Sequence, residues 1–200
     1  FRRDFENFFG TLIFNPTPEF LGLYGLDPEV YGDYEVTTQY NQPGSVRMTG
    51  FDFNYKQALT FLPHWARGVQ VFANASKQQA SGISAGQFTP SRSGSWGISL
   101  NREKYSLRVN WNYRGEKRLG LIQGRSIQPD TYVYETPRLY VDVNGDYALS
   151  KRFALFANLR NIRDASDNIE KYGPETPKNA RFNFRGSYGA LWTLGLRGSF

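Results

Sequence analysis

The sequence predicts an all-β fold, an antiparallel meander of about eight strands, and three observations lead to that prediction. Apolar and polar residues alternate over most of the hydrophobic segments, which is the two-residue side-chain period of a β-strand. The connections between these segments are alternately long and short. No apolar run approaches the roughly 18 residues that a membrane-spanning helix requires, which excludes helical membrane spans.

Composition narrows the class of protein. The chain has 200 residues, enough for one domain or for part of a larger one. It contains no cysteine, which rules out disulfides and thiolate metal sites. Its net charge of +6 is scattered rather than clustered, which argues against a nucleic-acid partner. The sequence shows no initiator Met and no signal-peptide pattern, and Phe1 falls inside a predicted strand, so we expect a further N-terminal part of the protein.

The first segment, Phe1 to Ile13, alternates imperfectly. The spacing of Phe1, Phe5 and Phe9 also suits a helix. We favour a strand because Gly10, Thr11 and Ile13 follow, and residues of these types do not favour a helix.

A long loop is predicted from Asn15 to Gln42, where Pro, Gly and Asn recur. Its content of aromatic residues is too high for a disordered linker, and such loops are usually packed or functional. The aromatic side chains can stack on sugars or planar chelates, or pack on neighbouring loops. The candidate ligand-binding residues are Phe20, Tyr24, Tyr31 and Tyr34.

The later strands share one pattern, an apolar face opposite a polar face. They are predicted over residues 44–59, 69–76, 95–101, 105–114, 139–149, 153–162 and 189–200. The clearest is Tyr105–Arg114, where Leu107 and Val109 alternate with Arg108 and Asn110.

Loop length predicts how these strands are placed. Short turns are predicted over residues 62–68, 102–104 and 150–152, and long loops over residues 15–42, 77–94, 115–137 and 163–188. Transmembrane barrels separate their connections in this way, with long loops outside and short turns in the periplasm. The sequence therefore predicts strands that cross a bacterial outer membrane, with the C-terminus in the periplasm.

The two faces then take definite partners. In a half-buried soluble sheet the polar face meets water and the apolar face meets a protein core. In a membrane barrel the polar face lines a hydrated lumen and the apolar face meets lipid. Strand patterning alone does not separate these cases, but the loop pattern and the terminal Phe200 favour the barrel. The predicted lumen-facing residues are Arg108, Asn110, Asn112, Asp142, Asn144, Asp146, Asn158, Arg160 and Arg197. On the closing strand the predicted lipid-facing residues are Trp192, Leu194, Leu196 and Phe200.

Three segments resemble TonB-dependent outer-membrane receptors. Thr193-Leu-Gly-Leu-Arg-Gly-Ser-Phe200 resembles their closing strand, and Phe156-Ala-Asn-Leu-Arg-Asn-Ile-Arg163 resembles the strand before it. Met48-Thr-Gly-Phe-Asp-Phe-Asn-Tyr55, followed by Leu62-Pro63, resembles a strand-and-turn unit repeated in that family. The resemblance covers most of the 200 residues but only the C-terminal part of the family's length.

The resemblance implies a 22-stranded barrel plugged by an N-terminal domain, of which residues 1–200 form the C-terminal part. It implies active import of a scarce ligand, a metal chelate or siderophore, a cobalamin-like cofactor or a glycan, with energy supplied from the inner membrane. It implies no cofactor. The implied partners are outer-membrane lipid and lipopolysaccharide, the energising complex through the missing N-terminal part, and the assembly machinery that recognises the closing strand.

Other classes stay open at this stage. A complete eight-stranded barrel with a structural or adhesive role is a legitimate size, and an outer-membrane enzyme or a soluble β-sandwich is a third reading. We expect no enzyme, because the lone His64 lies in a predicted turn and the Gly82-Ile-Ser-Ala-Gly86 match to a nucleophile elbow is followed by no helix signal.

Two sets of charged loop residues complete the candidates. The acidic set Asp164, Asp167, Asn168 and Glu170 lacks the spacing of a calcium-binding EF-hand loop, so we expect a solvated loop. Basic residues of the outer loops can attract an anionic ligand or bridge lipopolysaccharide phosphates; they are Arg92, Lys117, Arg118 and Arg125.

Overall fold

The computed structural model describes residues 1–82, 91–122, 124 and 126–198. Within this part of the chain antiparallel strands predominate, which confirms the predicted all-β class. The strands found there are β1 (Arg2–Phe14), β2 (Val36–Ala58), β3 (Val69–Gly82), β4 (Arg92–Asn101), β5 (Tyr105–Arg114), β6 (Lys117–Leu121), β7 (Tyr132–Glu135), β8 (Arg138–Ala148), β9 (Phe153–Arg160), β10 (Asp167–Tyr172), β11 (Phe182–Gly186) and β12 (Leu191–Gly198). None of the helices in the described residues is long and apolar enough to span a membrane.

The strands form two sheets. The main sheet has the order β1-β2-β3-β4-β5-β8-β9-β12, so its strands follow one another along the chain apart from two excursions. β1 and β12 stand at the two ends of this order. The second sheet, which we name the loop sheet, has the order β11-β10-β7-β6.

By its internal contacts the chain divides into two compact units. The first contains Phe1, Thr49–Gln79 and Gly86–Phe200, and the second contains Arg2–Met48 and Ala80–Ala85. The second unit holds two short helices, α1 (Pro18–Leu23) and α2 (Pro28–Tyr31).

These helices begin where the sequence has capping residues. The Thr17 hydroxyl accepts a hydrogen bond from the backbone N–H of Phe20 at 3.2 Å, and the Asp27 carboxylate accepts one from Glu29 at 2.9 Å. In each case a proline follows the cap, with a backbone angle already suited to the first helical turn. Leu21 of α1 is buried in this unit, as are Val46 and Met48 of β2.

The register of the first unit is regular from β4 to β12. Trp96 of β4 lies opposite Trp111 of β5, and Val109 of β5 lies opposite Val143 of β8. Leu159 of β9 then pairs with both Val143 and Trp192. Directly opposed residues share a face of the sheet, so the alternation seen in the sequence becomes one apolar face and one polar face.

Several predicted boundaries are wrong, and each error has a physical reason. The predicted loop from Asn15 to Gln42 contains α1, α2 and the start of β2. The reason is that Thr17-Pro18 and Asp27-Pro28 begin helices, although proline in a sequence also suggests a break in regular structure. The predicted loop over residues 77–94 is shorter, since β3 continues to Gly82 and β4 begins at Arg92. These extensions are polar on both faces, so they show no alternation.

The predicted loops over residues 115–137 and 163–188 are also not loops throughout. They contain β6, β7, β10 and β11, which build the loop sheet. Each of these strands has six residues or fewer, too short for a periodic signal to stand out. By contrast, the first segment is a strand, β1, as predicted.

Candidate functional site

The polar face of the first unit gathers the residues predicted to face a lumen. Arg108 lies opposite Asn144, and Asn110 lies opposite Asp142, across β5 and β8. Asn158 of β9 lies between Asn144 and Thr193 of β12. Asn112, Arg160 and Arg197 follow at two-residue steps along the same strands and share this face.

Two aspartates organise hydrogen bonds on the polar face. Asp142 accepts one from the Asn112 side chain at 3.0 Å and one from the backbone N–H of Asn161 at 2.9 Å. Asp146 accepts from Arg197 at 2.6 Å and from the Ser106 hydroxyl at 3.3 Å. The Arg197–Asp146 pair therefore ties β12 to β8 across β9. Both side chains are exposed, so the pair contributes at most about 1 kcal/mol to stability.

A cavity of about 580 Å³ opens on this face, lined by Lys56, Gln70, Asn74, Arg108 and Asp146 among others. Arg108 also places its guanidinium carbon 4.6 Å from the centroid of the Phe72 ring. The polar face thus carries both signs of charge, and none of its described charged residues is buried.

The apolar face of the same sheet is uncovered. Among the described apolar side chains of the first unit, only Ala66 and Val141 are buried. Leu194 is 71% exposed and Trp192 is 68% exposed. The exposed large side chains of this face include Trp96, Ile98, Tyr105, Leu107, Tyr147, Leu155, Trp192, Leu194 and Leu196. The predicted lipid-facing Trp192, Leu194 and Leu196 thus share one exposed face, while Phe200 lies outside the described residues.

The predicted ligand-binding aromatics of the second unit form two pairs. Phe20 packs at 5.0 Å from Tyr24, and Tyr31 packs at 5.5 Å from Tyr34. Phe20 also meets Phe14 edge-on at 5.1 Å. Their role in ligand binding remains a prediction.

A different aromatic cluster lies in the loop sheet, and the sequence analysis missed it. Tyr134 of β7 stacks on Tyr172 of β10 with ring centroids 3.9 Å apart and an interplanar angle of 11°. Arg181 lies 4.3 Å above the Tyr172 ring, and Arg118 lies 4.4 Å above the ring of Tyr132. The available signal was the alternation in Tyr132-Val-Tyr-Glu135, which at four residues is too short to predict a strand.

The loop sheet is fastened to the end of the main sheet. Arg114 at the end of β5 pairs with Glu135 of β7 at 3.1 Å. Arg138 at the start of β8 pairs with Asp167 of β10, which also accepts a 2.7 Å hydrogen bond from the Tyr140 hydroxyl. The cluster therefore rests on an anchored sheet.

Two tyrosines of this cluster, Tyr134 and Tyr172, have a raised pKa. Burial, then the nearby Glu116 carboxylate, raises the pKa of Tyr172 well above its ordinary value, and its hydroxyl donates to Glu116 at 3.1 Å. Burial also raises the pKa of Tyr134, and Arg118 acts in the opposite direction. The phenol rings thus remain uncharged stacking surfaces beside two guanidinium groups.

Residues considered for enzyme chemistry or metal binding are not brought together. His64 lies exposed in a short 3-10 helix, His64–Ala66, and its carbonyl accepts from Arg102 at 3.0 Å. The Asp164 carboxylate accepts a hydrogen bond from the Ser187 hydroxyl at 2.9 Å, whereas the Asp167 carboxylate accepts one from a different residue, Tyr140. In the described part of the chain no three His, Cys, Asp or Glu side chains are grouped to hold a metal ion. Most of the Gly82–Gly86 segment lies outside the described residues.

Comparisons of this chain with known families, proteins and structures identify no relative. No family model, no curated protein and no solved structure matches this chain.

Proposed function

We propose that the chain is the C-terminal part of the barrel of an outer-membrane active transport receptor of the TonB-dependent kind. In this proposal it supplies barrel wall and outer loops for the import of a scarce ligand, a metal chelate or siderophore, a cobalamin-like cofactor or a glycan. The observation that carries the proposal is the uncovered apolar face of the main sheet behind a polar, hydrated one.

Energetics favour a lipid partner for that face. Burying a large apolar side chain stabilises a protein by roughly 1.5–3 kcal/mol. Because the exposed side chains from Trp96 to Leu196 on this face are roughly half exposed, their burial is together worth an amount comparable to the roughly 5–15 kcal/mol by which a domain is stable. If this apolar face remained in water, the sheet would lose the stabilisation that burial of apolar surface gives to a fold. Lipid supplies the missing apolar environment without a second protein layer.

Strand length agrees with the same partner. β4 and β5 have 10 residues each and β8 has 11, and a tilted transmembrane strand needs about 9–11. No Asp, Glu, Lys or Arg occurs on the apolar face of β5, whose side chains there are Tyr105, Leu107, Val109, Trp111 and Tyr113. Tyrosine and tryptophan at the strand ends suit the membrane interfaces.

The connections support an orientation. The chain between β5 and β8 and the chain between β9 and β12 meet in the loop sheet, so they lie at one end of these strands. The tight turns after β4 and β8 lie at the other end. Assigning the loop sheet to the outside, as barrels do with their long loops, directs β12 towards the periplasm.

The open edges support a larger barrel over a complete small one. Unpaired backbone groups in lipid cost several kcal/mol each, so an edge strand such as β12 requires another strand beside it. In the proposal, further strands of a 22-stranded barrel pair with the edges of this sheet, and the energising complex acts through a plug outside these residues.

The test uses the whole protein that contains this chain, in its own cell. Sucrose-gradient fractionation is expected to place it with lipopolysaccharide in the outer membrane. Deleting its gene is expected to abolish protonophore-sensitive uptake of one probe among ⁵⁵Fe-chelates, ⁵⁷Co-cobalamin and labelled glycans. A protein recovered in the soluble fraction, or uptake that persists without inner-membrane energy, would contradict the proposal.

A further inference from the structure

We propose that the cavity between Arg118 and Arg181 in the loop sheet binds an oxyanion, a carboxylate or phosphate group. This inference rests on the proposed function only for placing the loop sheet at the outer surface. The anion can belong to a small solute, which makes the transported ligand anionic, or to a lipopolysaccharide head group. Both sources present the same chemistry to the cavity.

Strand register brings the rings under the two arginines side by side. Tyr132 of β7 lies directly opposite Tyr172 of β10, and opposed side chains in a sheet have Cβ atoms about 4.5–5.5 Å apart. Arg118 stacks on the first of these rings and Arg181 on the second. Both arginines line one cavity of about 340 Å³, together with Tyr134, Gly173 and Pro174.

These arginines differ from their neighbours in having no carboxylate partner. Arg114 and Arg138, at the base of the loop sheet, are paired with Glu135 and Asp167. Neither Arg118 nor Arg181 forms an ion pair with any Asp or Glu of the described residues. Asp130 also lines the cavity, and the Glu116 carboxylate lies nearby, held by the Tyr172 hydroxyl at 3.1 Å, yet neither forms an ion pair with the two arginines.

Their positions are nonetheless fixed. The Arg181 Nε donates to the Thr176 carbonyl at 3.3 Å, and the Arg181 carbonyl accepts from the backbone N–H of Lys171 at 2.8 Å. The guanidinium carbon also lies 4.3 Å from the centroid of the Tyr172 ring. The terminal Nη groups of Arg181 keep no hydrogen-bond partner among the described residues, so they are oriented donors without an acceptor.

The arrangement selects an anion over a neutral ring. Tyr134 and Tyr172 already cover each other's faces, and Arg181 lies over Tyr172 as well. Little open aromatic surface is left on which a sugar or a planar chelate can stack. The N–H edges of the guanidinium groups remain, and their planar fork matches a carboxylate or phosphate with two parallel hydrogen bonds.

The experiment measures calorimetric binding of sodium pyrophosphate and of citrate to the purified full-length protein in detergent. We expect Arg118→Gln and Arg181→Gln each to weaken binding by about tenfold or more, since each removes a charge-assisted hydrogen bond to the anion. Lys171→Gln is the matched control. It removes a cation from the same strand as Tyr172, at a position one residue away and thus on the opposite face, and it should bind as the wild type does.

Lysine variants cover the case in which the glutamine variants do not fold. Arg118→Lys and Arg181→Lys keep the charge but lose the planar fork, so each should still bind more weakly than wild type. Wild-type affinity in the lysine variants, or in both glutamine variants, would overturn the proposal.

A second arm separates the two sources of the anion. Vesicles with and without lipopolysaccharide are offered to the same proteins. Arginine-dependent binding of lipopolysaccharide vesicles with no binding of the free anions assigns the site to a head group, and the reverse assigns it to a solute. Absence of arginine-dependent binding in both arms overturns the site. Because no step requires energised uptake, anion binding in a protein that does not transport would leave the site standing and refute the transport function alone.

Discussion

The ring of Phe72 on β3 lies over Gly97 on β4, and the two residues are directly opposed in register. A Cβ atom added to Gly97 would come 2.6 Å from Phe72 Cζ and 2.4 Å from the Val109 carbonyl oxygen. Arg108 of β5 completes the arrangement by stacking on the other part of the ring. A glycine thus lets one aromatic side chain of the polar face bridge three strands.

Replacing Gly97 with alanine should therefore destabilise the protein. The clash involves a backbone oxygen that cannot rotate away, so we expect a loss of about 1–3 kcal/mol, as for overpacked sites. Thermal unfolding of the full-length protein in detergent measures it. Gly120→Ala is the control, because nothing lies within 4 Å of a Cβ there. Equal midpoints for the two variants would contradict the packing of Phe72 on Gly97.

A second glycine on the polar face should behave differently. The three atoms nearest to a Cβ on Gly195 of β12 would all belong to the Phe156 ring, the first at 2.5 Å. The destabilisation by Gly195→Ala should therefore fall by at least about 0.5 kcal/mol when Phe156→Ala is also present, since contacting residues couple by about that much or more. Additive effects in this double-mutant cycle would show that ring and glycine are not in contact.

Two ion pairs of the first unit, Arg197–Asp146 and Arg114–Glu135, should differ in strength. Arg197 and Asp146 are more exposed than Arg114 and Glu135. Arg197→Gln should cost under about 1 kcal/mol and its effect should shrink in high salt. Arg114→Gln leaves a less exposed carboxylate without its partner and should cost about 1–3 kcal/mol. Chemical denaturation at two salt concentrations compares them, and a reversed order would refute the assignment of Arg114 as an anchor of the loop sheet.

High pH should weaken the loop sheet through Tyr172. Its pKa is raised in the folded protein, so the neutral phenol is favoured there. This contribution is fully present below the ordinary tyrosine pKa of about 10 and is lost as pH rises above it. Tyr172→Phe should therefore lose less thermal stability between pH 9 and pH 11 than wild type. Tyr188→Phe, at a tyrosine that is 83% exposed, should match wild type; an equal response from Tyr172→Phe would contradict the buried environment.

The sequence predicts well what depends on a long two-residue period. β5 is predicted with its observed bounds, Tyr105–Arg114, and its polar residues fall on the face shared with Asp142 and Asn144. Over ten residues the alternation repeats often enough to outweigh local propensity. The positions of the residues on each face follow directly from it.

The sequence does not predict the loop sheet, because its formation depends on pairing between distant segments. Tyr134 and Tyr172 are stacked, yet they belong to connections separated by β8 and β9. No pattern within either segment predicts which residues of the two distant strands pair with each other. The cluster of Arg118, Tyr132 and Arg181 likewise forms only because of that pairing. The aromatic content of the predicted loops, taken alone, indicates Phe20 and Tyr24 instead.

The central claim is that lipid covers the apolar face and water the polar face. These 200 residues contain no cysteine, so once any cysteine elsewhere in the full-length protein is replaced with serine, single nitroxide labels can be placed at Leu107 or Leu194 on one face and at Asn110 or Asn158 on the other. In the full-length protein in bilayers, the collision rate of each label with oxygen, which concentrates in lipid, is compared with its collision rate with a water-soluble nickel chelate. We predict oxygen-accessible, nickel-protected labels at both leucines and the reverse at both asparagines. Leucine labels that collide freely with the nickel chelate would contradict the account.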